Sequence, residues 1–538
     1  MALLNFEASP LLPRSSRLVV ALLVLSSCIS SATLGYDGSM MSGLNILPAY
    51  NDYFALTNAT TALNTATVYI GQVLPCFFYG AVSDRLGRKN AMAIAAVVTI
   101  VAVVLQTAAQ NVAMFAVSRI IIGIGNGATA IAGPVWLSEC LPHRWRAWGL
   151  GLFYNFWYVG GLIASGITYG TGMMDSTWAW RLPSAVQGIF SVLCILILPF
   201  VPESPRWLVY QERKDEALYA LALTHSNGDQ TDPATLVEFK SISDTLKWEK
   251  ESGKMTVKEI VRTPSRRKRL MLTISVAVFS MLSGNNIVSY YLGTMLDGAG
   301  VTDTTTQLEI VSSTLFPVDD TTLTWPQNII MNAWCLCIAL LGTYFMNKLG
   351  RKIMAIISTA LLTIFLFLYA GLNKLYGESA NTSGIYASVA VIFLFQGSYS
   401  FGWTPLTVLY PPEVLNYSMR ANGMGVYTFV VNCVGLFVTM VFPFAMDAIA
   451  WKTYIINASW DILELLYVVW AWVETKGKTL EEIDAIFDGH KHSEVPDVEQ
   501  VLHGEVAASV IEGVEPSGGS MDGVEEVEVS VGKGKEGK

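Results

Sequence analysis

Long apolar runs alternate with short polar connections along most of this chain. A helix needs about 20 mainly apolar residues to cross a bilayer. Twelve runs approach or exceed that length: 17–36, 65–83, 90–107, 112–133, 149–170, 185–201, 270–292, 328–346, 353–372, 385–407, 423–445 and 453–472. The pattern predicts an all-α membrane protein with twelve transmembrane helices. The last run fits least well because it contains Asp461 and Glu464.

Composition favours the same class of protein. Of the 538 residues, 52% are hydrophobic and only 14% are charged. A soluble domain is about 25% charged, so the chain has too little polar surface for a soluble fold of its size. Residues 494–538 differ, with eleven acidic residues, three lysines and no Phe, Trp or Tyr. Such a segment cannot bury a core, and it is predicted to be a disordered acidic tail.

Positive residues are divided unequally between alternate connections. The connections at 84–89, 143–146, 202–269, 347–352 and 413–422 contain 22 Lys and Arg, and those on the opposite side contain three. Cytoplasmic loops carry the excess of Lys and Arg, so the first set and both chain termini are predicted to be cytoplasmic. The sequons at Asn58 and Asn381 fall in connections on the predicted outer side, where glycosylation is expected.

The long connection at 202–269 divides the runs six and six. GAVSDRLGRK (80–89) after the second run is echoed by YFMNKLGRK (344–352) after the eighth. Repeated six-span halves with a substrate site between them are typical of major facilitator transporters. The predicted organisation is a cytoplasmic N-terminus, a six-helix bundle, a cytoplasmic helical linker, a second, pseudo-symmetric six-helix bundle, a cytoplasmic segment and the tail, at 1–16, 17–201, 202–269, 270–472, 473–493 and 494–538.

Further motifs lie in order between the predicted helices, and together they carry a family resemblance. From about residue 15 to residue 488 the chain resembles the sugar porter family of the major facilitator superfamily, most closely its fungal lactose permease and hexose transporter type. The motifs are GYDGSMMSG (35–43), GAVSDRLGRK (80–89), SRIIIGIGNG (118–127), PVWLSECLPHRWR (134–146), VPESPRW (201–207), SGNNIVSYY (283–291), YPPEVLNYSMR (410–420) and VETKGKTLEEID (473–484).

The resemblance implies a charged network that holds the cytoplasmic gate shut in the outward-open state. In the second copy of the motif, Asn347 and Lys348 stand where the family usually has Asp and Arg, so the second latch is expected to be weaker. The residues that match the network are Asp84, Arg85, Gly87, Arg88, Glu139, Arg144, Arg146, Glu203, Arg206, Gly350, Arg351, Glu413 and Arg420.

Asp37 lies near the end of the first apolar run and Arg119 lies inside the fourth. Ionisable groups at membrane depth are costly unless they have a partner or a task. The resemblance implies that the pair is the proton-coupling site, because proton-coupled members of the family carry this Asp and this Arg. The alternative is a structural ion pair that never changes its protonation.

Sugar recognition needs buried amides and aromatic rings. Asn286, Tyr290 and Tyr291 match the family's seventh-helix signature; further candidates are Asn285, Asn328, Asn332, Asn432 and either Tyr154 or Asn155 in the fifth helix. Each amide serves helix packing as readily as sugar contact. The chain departs from the family at Ser280, Met281 and Leu282, where Gln residues are usual, and at Val408, where Trp is usual.

The leading hypothesis is a proton-coupled symporter of a mono- or disaccharide that works by alternating access in the plasma membrane. Its expected partners are a small-molecule substrate, protons and the lipid bilayer, with no nucleic acid, and the protein is expected to be monomeric. The alternatives are a transporter or exporter of another small polar metabolite, and a sugar sensor that does not transport. The sequence contains no enzyme motif, metal-ligand spacing or cofactor motif. Residues 309–327 are extra relative to related chains and are either an external loop or translated intron.

Overall fold

The computed structural model describes residues 12–252, 262–298, 327–376, 381–415 and 417–476, together with Ile483, Ile486 and Phe487. All the regular structure in these residues is helical. The predicted tail and nearly all of 309–327 lie outside them. The N-terminal half contains α1 (Ser16–Ile46), α2 (Pro48–Phe54), α3 (Asn58–Val73), α4 (Pro75–Leu86), α5 (Arg88–Thr107), α6 (Val112–Cys140), α7 (His143–Gly172) and α8 (Trp178–Ile197).

Three shorter helices form the linker, and seven helices form the C-terminal half. The linker helices are α9 (Pro205–Tyr210), α10 (Lys214–His225) and α11 (Pro233–Ser252). The C-terminal half contains α12 (Pro264–Leu282), α13 (Asn285–Gly298), α14 (Gln327–Leu349), α15 (Arg351–Tyr376), α16 (Thr382–Val414), α17 (Tyr417–Ile449) and α18 (Lys452–Ala471). The predicted helical linker between two helical bundles is present in the fold.

Eight of the described helices are long and apolar enough to cross a membrane, and two bent pairs raise the number to ten. The other two spans of the twelve-helix fold are α14, whose apolar part is the shorter stretch Ile330–Met346, and α18, which carries two buried carboxyls.

Two of the predicted spans are broken. The second span bends by 44° between α3 and α4, where Pro75 begins the new helix, and the seventh bends by 41° between α12 and α13. Gly284 lies in the second break with φ +82°, a backbone conformation that residues other than glycine rarely adopt. The break therefore depends on a residue without a Cβ.

Several helices extend well past the apolar runs that predicted them. Helix α1 continues ten residues beyond position 36, to Ile46, through a polar stretch that contains Asp37. Helix α16 continues to Val414 even though it contains three prolines. The runs end early because polar residues with partners inside the bundle interrupt the apolar pattern without ending the helix.

The linker helices pack on one another and on the end of the N-terminal half where α1 begins. Leu208, Leu221 and Leu246 belong to a small apolar core of their own. The Asn227 side chain accepts a hydrogen bond from the backbone N–H of Ser16 (2.9 Å), and the backbone N–H of Asn227 donates to the Ser16 hydroxyl (2.6 Å). The linker is thus attached where α1 begins.

Candidate functional site

A buried ion pair lies between α1 and α6. Arg119 donates through Nη1 to Asp37 Oδ1, and the exposed fractions of the two residues are 0% and 3%. The same carboxylate oxygen accepts from Gln187 Nε2 of α8 at 2.9 Å. Three helices of one half therefore hold a single carboxylate, and the predicted proximity of Asp37 and Arg119 is present in the structure.

The guanidinium of Arg119 is only partly satisfied. Its Nε donates to the carbonyl of Asn64 at 3.4 Å, and its Nη2 has no hydrogen-bond partner among the described residues. Buried polar groups normally have partners, and a buried charge that loses its partner is costly. The ion pair with Asp37 therefore supplies the main compensation for the buried charge of Arg119.

Tyr290 connects the ion pair to the opposite half. It lies within electrostatic range of Asp37 and Arg119, and its hydroxyl shares a 3.1 Å hydrogen bond with that of Tyr69 of α3. Gly38 follows Asp37 in the chain. If Gly38 carried a Cβ, that atom would lie 3.7 Å from the Tyr290 hydroxyl. The predicted substrate residue Tyr290 is thus adjacent to the predicted proton site.

Other predicted amides bridge the two halves. Asn155 Nδ2 donates to Thr343 Oγ1 at 3.1 Å, joining α7 to α14. Asn332 Nδ2 of α14 donates to Ser165 Oγ of α7 at 3.2 Å. Asn432 Nδ2 of α17 donates to the carbonyl of Gln72 in α3 at 3.4 Å. These residues line the interface between the halves, where a major facilitator transporter binds its substrate.

The remaining predicted substrate residues have partners nearer to the seventh span. Asn285 Oδ1 accepts from Gln396 Nε2 at 2.6 Å, and Asn286 Nδ2 donates to the carbonyl of Met281 at 3.3 Å. The Tyr291 hydroxyl donates to a carbonyl of α17 at 2.7 Å. Tyr154 faces Thr407 of α16, and the side chain of Asn328 lies outside the described residues.

Three polar side chains that sequence reasoning missed belong to the same region. The Tyr158 hydroxyl lies 2.8 Å from Ser400 Oγ and 3.1 Å from Thr404 Oγ1, which joins α7 to α16. Gln396 pairs with Asn285, and Gln187 holds Asp37. A glutamine within an apolar run is a signal visible in the sequence, but nothing in the sequence gives its partner.

The first predicted latch is assembled around Arg88 at the start of α5. Its guanidinium pairs with Asp84 at 2.8 Å and with Glu139 at 3.1 Å. Glu203 accepts from the backbone N–H of Arg88 (3.0 Å) and of Lys89 (3.2 Å), so it caps α5. Burial raises the pKa of Glu203, against the opposing effect of these N–H donors and of Arg88. The Glu203 carboxylate accepts from N–H groups that have no acceptor within the helix, and its negative charge interacts favourably with the helix dipole.

The second latch repeats this arrangement in the C-terminal half. Arg351 pairs with Glu413 through two hydrogen bonds of 2.7 and 3.1 Å. Glu474 accepts from the backbone N–H of Arg351 (2.8 Å) and of Lys352 (3.0 Å), as Glu203 does in the first latch. Glu474 was missed by sequence reasoning, although Val473-Glu474-Thr475 after the twelfth span echoes Glu203-Ser204 after the sixth.

Both latches contain a glycine that no other residue replaces easily. Gly87 and Gly350 have φ of +93° and +100°. A Cβ at either position would meet the capping carboxylate, which belongs to Glu203 in the first latch and Glu474 in the second. These contacts explain the glycine in each copy of the motif.

The other predicted gate residues are placed differently. Arg146 bonds to Glu238 of the linker at 3.4 Å, and Arg206 lies within electrostatic range of both. Arg85 is exposed, with no ion pair to a described residue. The side chains of Arg144, Asn347 and Arg420 lie outside the described residues. The described pairs thus form two separate clusters, one in each half, and the expected weakness of the second latch stays a prediction.

Glu238 connects the linker to α7. Besides pairing with Arg146, its carboxylate lies 2.8 Å from His225 Nε2 of α10. Burial alone would raise the pKa of Glu238, but its bond to His225 and the nearby arginines hold it below its ordinary value. Within the described residues, no three His, Cys, Asp or Glu side chains are placed to hold a metal ion.

The fold and this interface define a multi-pass membrane transporter of the major facilitator superfamily. Its solved structural relatives include the proton:xylose symporter XylE bound to 6-bromo-6-deoxy-D-glucose, with a TM-score of 0.72 and 21% identity over 88% of this chain and 100% of that one. Residues 23–487 match the family described as Sugar (and other) transporter, and the chain belongs to this family. It is a transporter and not an enzyme.

Curated relatives include fungal transporters of similar length. The high-affinity glucose transporter of Kluyveromyces lactis is 28% identical over 86% of this chain and 84% of its own. The MFS-type transporter criB of Aspergillus cristatus is 27% identical over 86% of this chain and 92% of its own. The resemblance to the sugar porter family is confirmed by these relatives and by the family match.

Proposed function

We propose that this protein is a proton-coupled symporter of a mono- or disaccharide that works by alternating access, in the plasma membrane with both termini cytoplasmic. The observation that carries the proposal is the buried pair of Asp37 and Arg119, held by Gln187 and adjacent to Tyr290. Relatives named as glucose transporters and as a proton:xylose symporter support a sugar substrate and proton coupling.

The pair supplies a coupling step. An ionised Asp37 neutralises Arg119, and a protonated Asp37 does not. The change releases the charge constraint between α1 and α6, beside the contact of α1 with α13 where Gly38 faces Tyr290 of the seventh span. A ligand shifts the equilibrium between two conformations only if it binds one of them more tightly. Proton and substrate are therefore coupled if both bind more tightly to the same arrangement of this contact.

The test is uptake into vesicles that contain the purified full chain, with a panel of labelled sugars and an imposed pH gradient. Asp37→Asn mimics the protonated form, so it should abolish accumulation in response to the gradient and leave exchange down a substrate gradient. Asp175→Asn, at an exposed position between α7 and α8, is the matched control. Accumulation by the Asp37→Asn protein equal to that of the control would refute the proposed role of Asp37.

A second candidate is transport of another small polar metabolite. It is favoured by Ser280, Met281 and Leu282, which stand where sugar porters usually have glutamines. A pocket with fewer amides satisfies fewer hydroxyl groups. Competition of unlabelled polyols and other small polar metabolites against the labelled sugars distinguishes the two candidates. Saturable sugar binding without uptake would instead identify a sensor.

A further inference from the structure

Helix α18 carries two carboxyl groups, of Asp461 and Glu464, about one turn apart. Both residues have an exposed fraction of 0%. Their helix is the twelfth span of the fold, and an ionisable side chain at membrane depth is costly unless it is paired or functional. The pair is distinct from Asp37 and Arg119, which lie in the opposite half.

Each carboxyl group accepts one hydrogen bond through one of its oxygens, and its other oxygen accepts none from the described residues. Asn457 Nδ2 donates to Asp461 Oδ1 at 3.4 Å, and Trp460 Nε1 donates to Glu464 Oε1 at 2.6 Å. Asp461 Oδ2 and Glu464 Oε2 are buried and accept no hydrogen bond from any described residue. No Lys or Arg of the described chain forms an ion pair with either group. Two adjacent carboxylates without a cation repel each other and lack solvation, so the stable form of the pair carries at least one proton.

The pair is linked to the break in the seventh span through two neighbouring side chains, Asn457 and Tyr399. Asn457 is the residue that donates to Asp461. If Gly284 carried a Cβ, that atom would lie 3.3 Å from Asn457 Nδ2. Tyr399 of α16 lies within electrostatic range of Glu464, and its hydroxyl donates to the carbonyl of Ser280 at 2.8 Å. Tyr399 is a titratable group of another helix that interacts electrostatically with Glu464.

Tyr399 connects the pair to the predicted substrate residues. It interacts with Tyr154 and Tyr158 of α7 and with Asn285 at the start of α13. A change of charge on Glu464 therefore acts on a residue that borders both the interface between the halves and the last turn of α12. The geometry places a protonatable group one side chain away from the candidate substrate region.

We propose that Asp461 and Glu464 form a second proton-binding site, which holds the break of the seventh span at Gly284 when it is protonated and releases it when the proton leaves. The step adds or removes one proton and breaks no other covalent bond. Its link to transport rests on the proposed function, whereas proton binding by the pair does not.

Proton binding is tested on the purified full chain by the infrared carbonyl band of protonated carboxylic acids at neutral pH. The expected result is a band in the wild type that is lost in the double variant Asp461→Asn with Glu464→Gln and kept in Asp52→Asn, which changes an exposed carboxyl. A band that is absent from the wild type, or unchanged in the double variant, would overturn the site. Labelling by an apolar carbodiimide, which reacts with protonated carboxyls, should map to α18 and not to Asp52.

The link to transport is tested separately in vesicles. The double variant should keep proton-driven accumulation through Asp37 but transport roughly tenfold more slowly. A roughly tenfold change corresponds to the net contribution of one ordinary hydrogen bond. An unchanged rate, with the infrared band lost, overturns the link to the break. If the wild type shows no proton-driven uptake, the proposed function fails, and the infrared result still decides the proton site.

Discussion

Gly87 in the first latch allows a sharp test of how the latch is built. It connects α4 to α5 with φ 93° and ψ 158°, and a Cβ at this position would lie 3.1 Å from the carboxyl carbon of Glu203. Gly80, seven residues earlier in α4, is a matched control because a Cβ there meets nothing within 4 Å. We predict that Gly87→Ala disrupts the latch and that Gly80→Ala does not.

The magnitude follows from two separate costs. A non-glycine residue in this backbone region costs about 1–3 kcal/mol. Displacing Glu203 weakens its hydrogen bonds to the N–H groups of α5, and a hydrogen bond to a charged group contributes about 1.5–3 kcal/mol. The sum is about 2.5–6 kcal/mol. Gly80→Ala, in a helix interior, should instead stabilise by about 0.5–1 kcal/mol.

The assay is the thermal midpoint of the purified protein in detergent, measured together with the initial rate of uptake in vesicles. Gly87→Ala should lower both, and Gly80→Ala should lower neither. A double-mutant cycle with Glu203→Ala isolates the collision, because Gly87→Ala should cost less once the carboxylate is gone. Equal midpoints for the two alanine variants, or a cycle with no coupling between positions 87 and 203, would refute this account.

Three further predictions concern the difference between the two latches, the linker and the substrate region. Asp84→Asn should reduce the uptake rate strongly because it removes a partner of the latch arginine, and Asn347→Asp should be tolerated; equal losses would show that the two latches do not differ in this way. Glu238→Gln should increase proteolysis of the linker at neutral pH, and since the pKa of Glu238 is lowered in the folded chain, the wild-type linker should keep its protection at neutral pH and lose it as the pH falls from the ordinary glutamate range through the lowered pKa; protection that is unaffected by pH contradicts this. Gln396→Ala and Asn285→Ala should each weaken substrate binding roughly tenfold by calorimetry, with a double variant little worse than either because they share one hydrogen bond; additive losses would mean that they act independently.

The fold was largely predictable because a membrane span imposes a length and an apolar composition that can be read locally. The ends of the helices were less predictable. Helix α1 runs ten residues past its apolar run because Asp37 is neutralised by a residue 82 positions away. A prediction based on runs of apolar residues ends the span at such a charged residue, because the run contains no information about a distant partner that neutralises the charge.

The site was predictable where a motif fixes a residue, and not where only a partner does. Asp37 and Arg119 were found as two isolated charges whose pairing the family resemblance suggested. Gln187 and Gln396 were missed because an amide in an apolar run has no spacing that reveals its function, and both form contacts over more than a hundred residues. Glu474 was missed although the repeat of the halves could have revealed it.

The strong and the weak interactions of the described chain are divided between the two halves in a way that suits a rocking motion. Its ion pairs lie within one half, within the linker, or between the N-terminal half and the linker; Arg88 with Glu139 and Arg351 with Glu413 are examples within one half. The side-chain bonds that cross between the halves are neutral, such as the one between Asn155 and Thr343. A neutral hydrogen bond contributes only about 0.5–1.5 kcal/mol net, and breaking a buried ion pair costs about 3–5 kcal/mol. If the halves alternate as proposed, the motion breaks the weak contacts and keeps the strong ones, so each half moves as a rigid body.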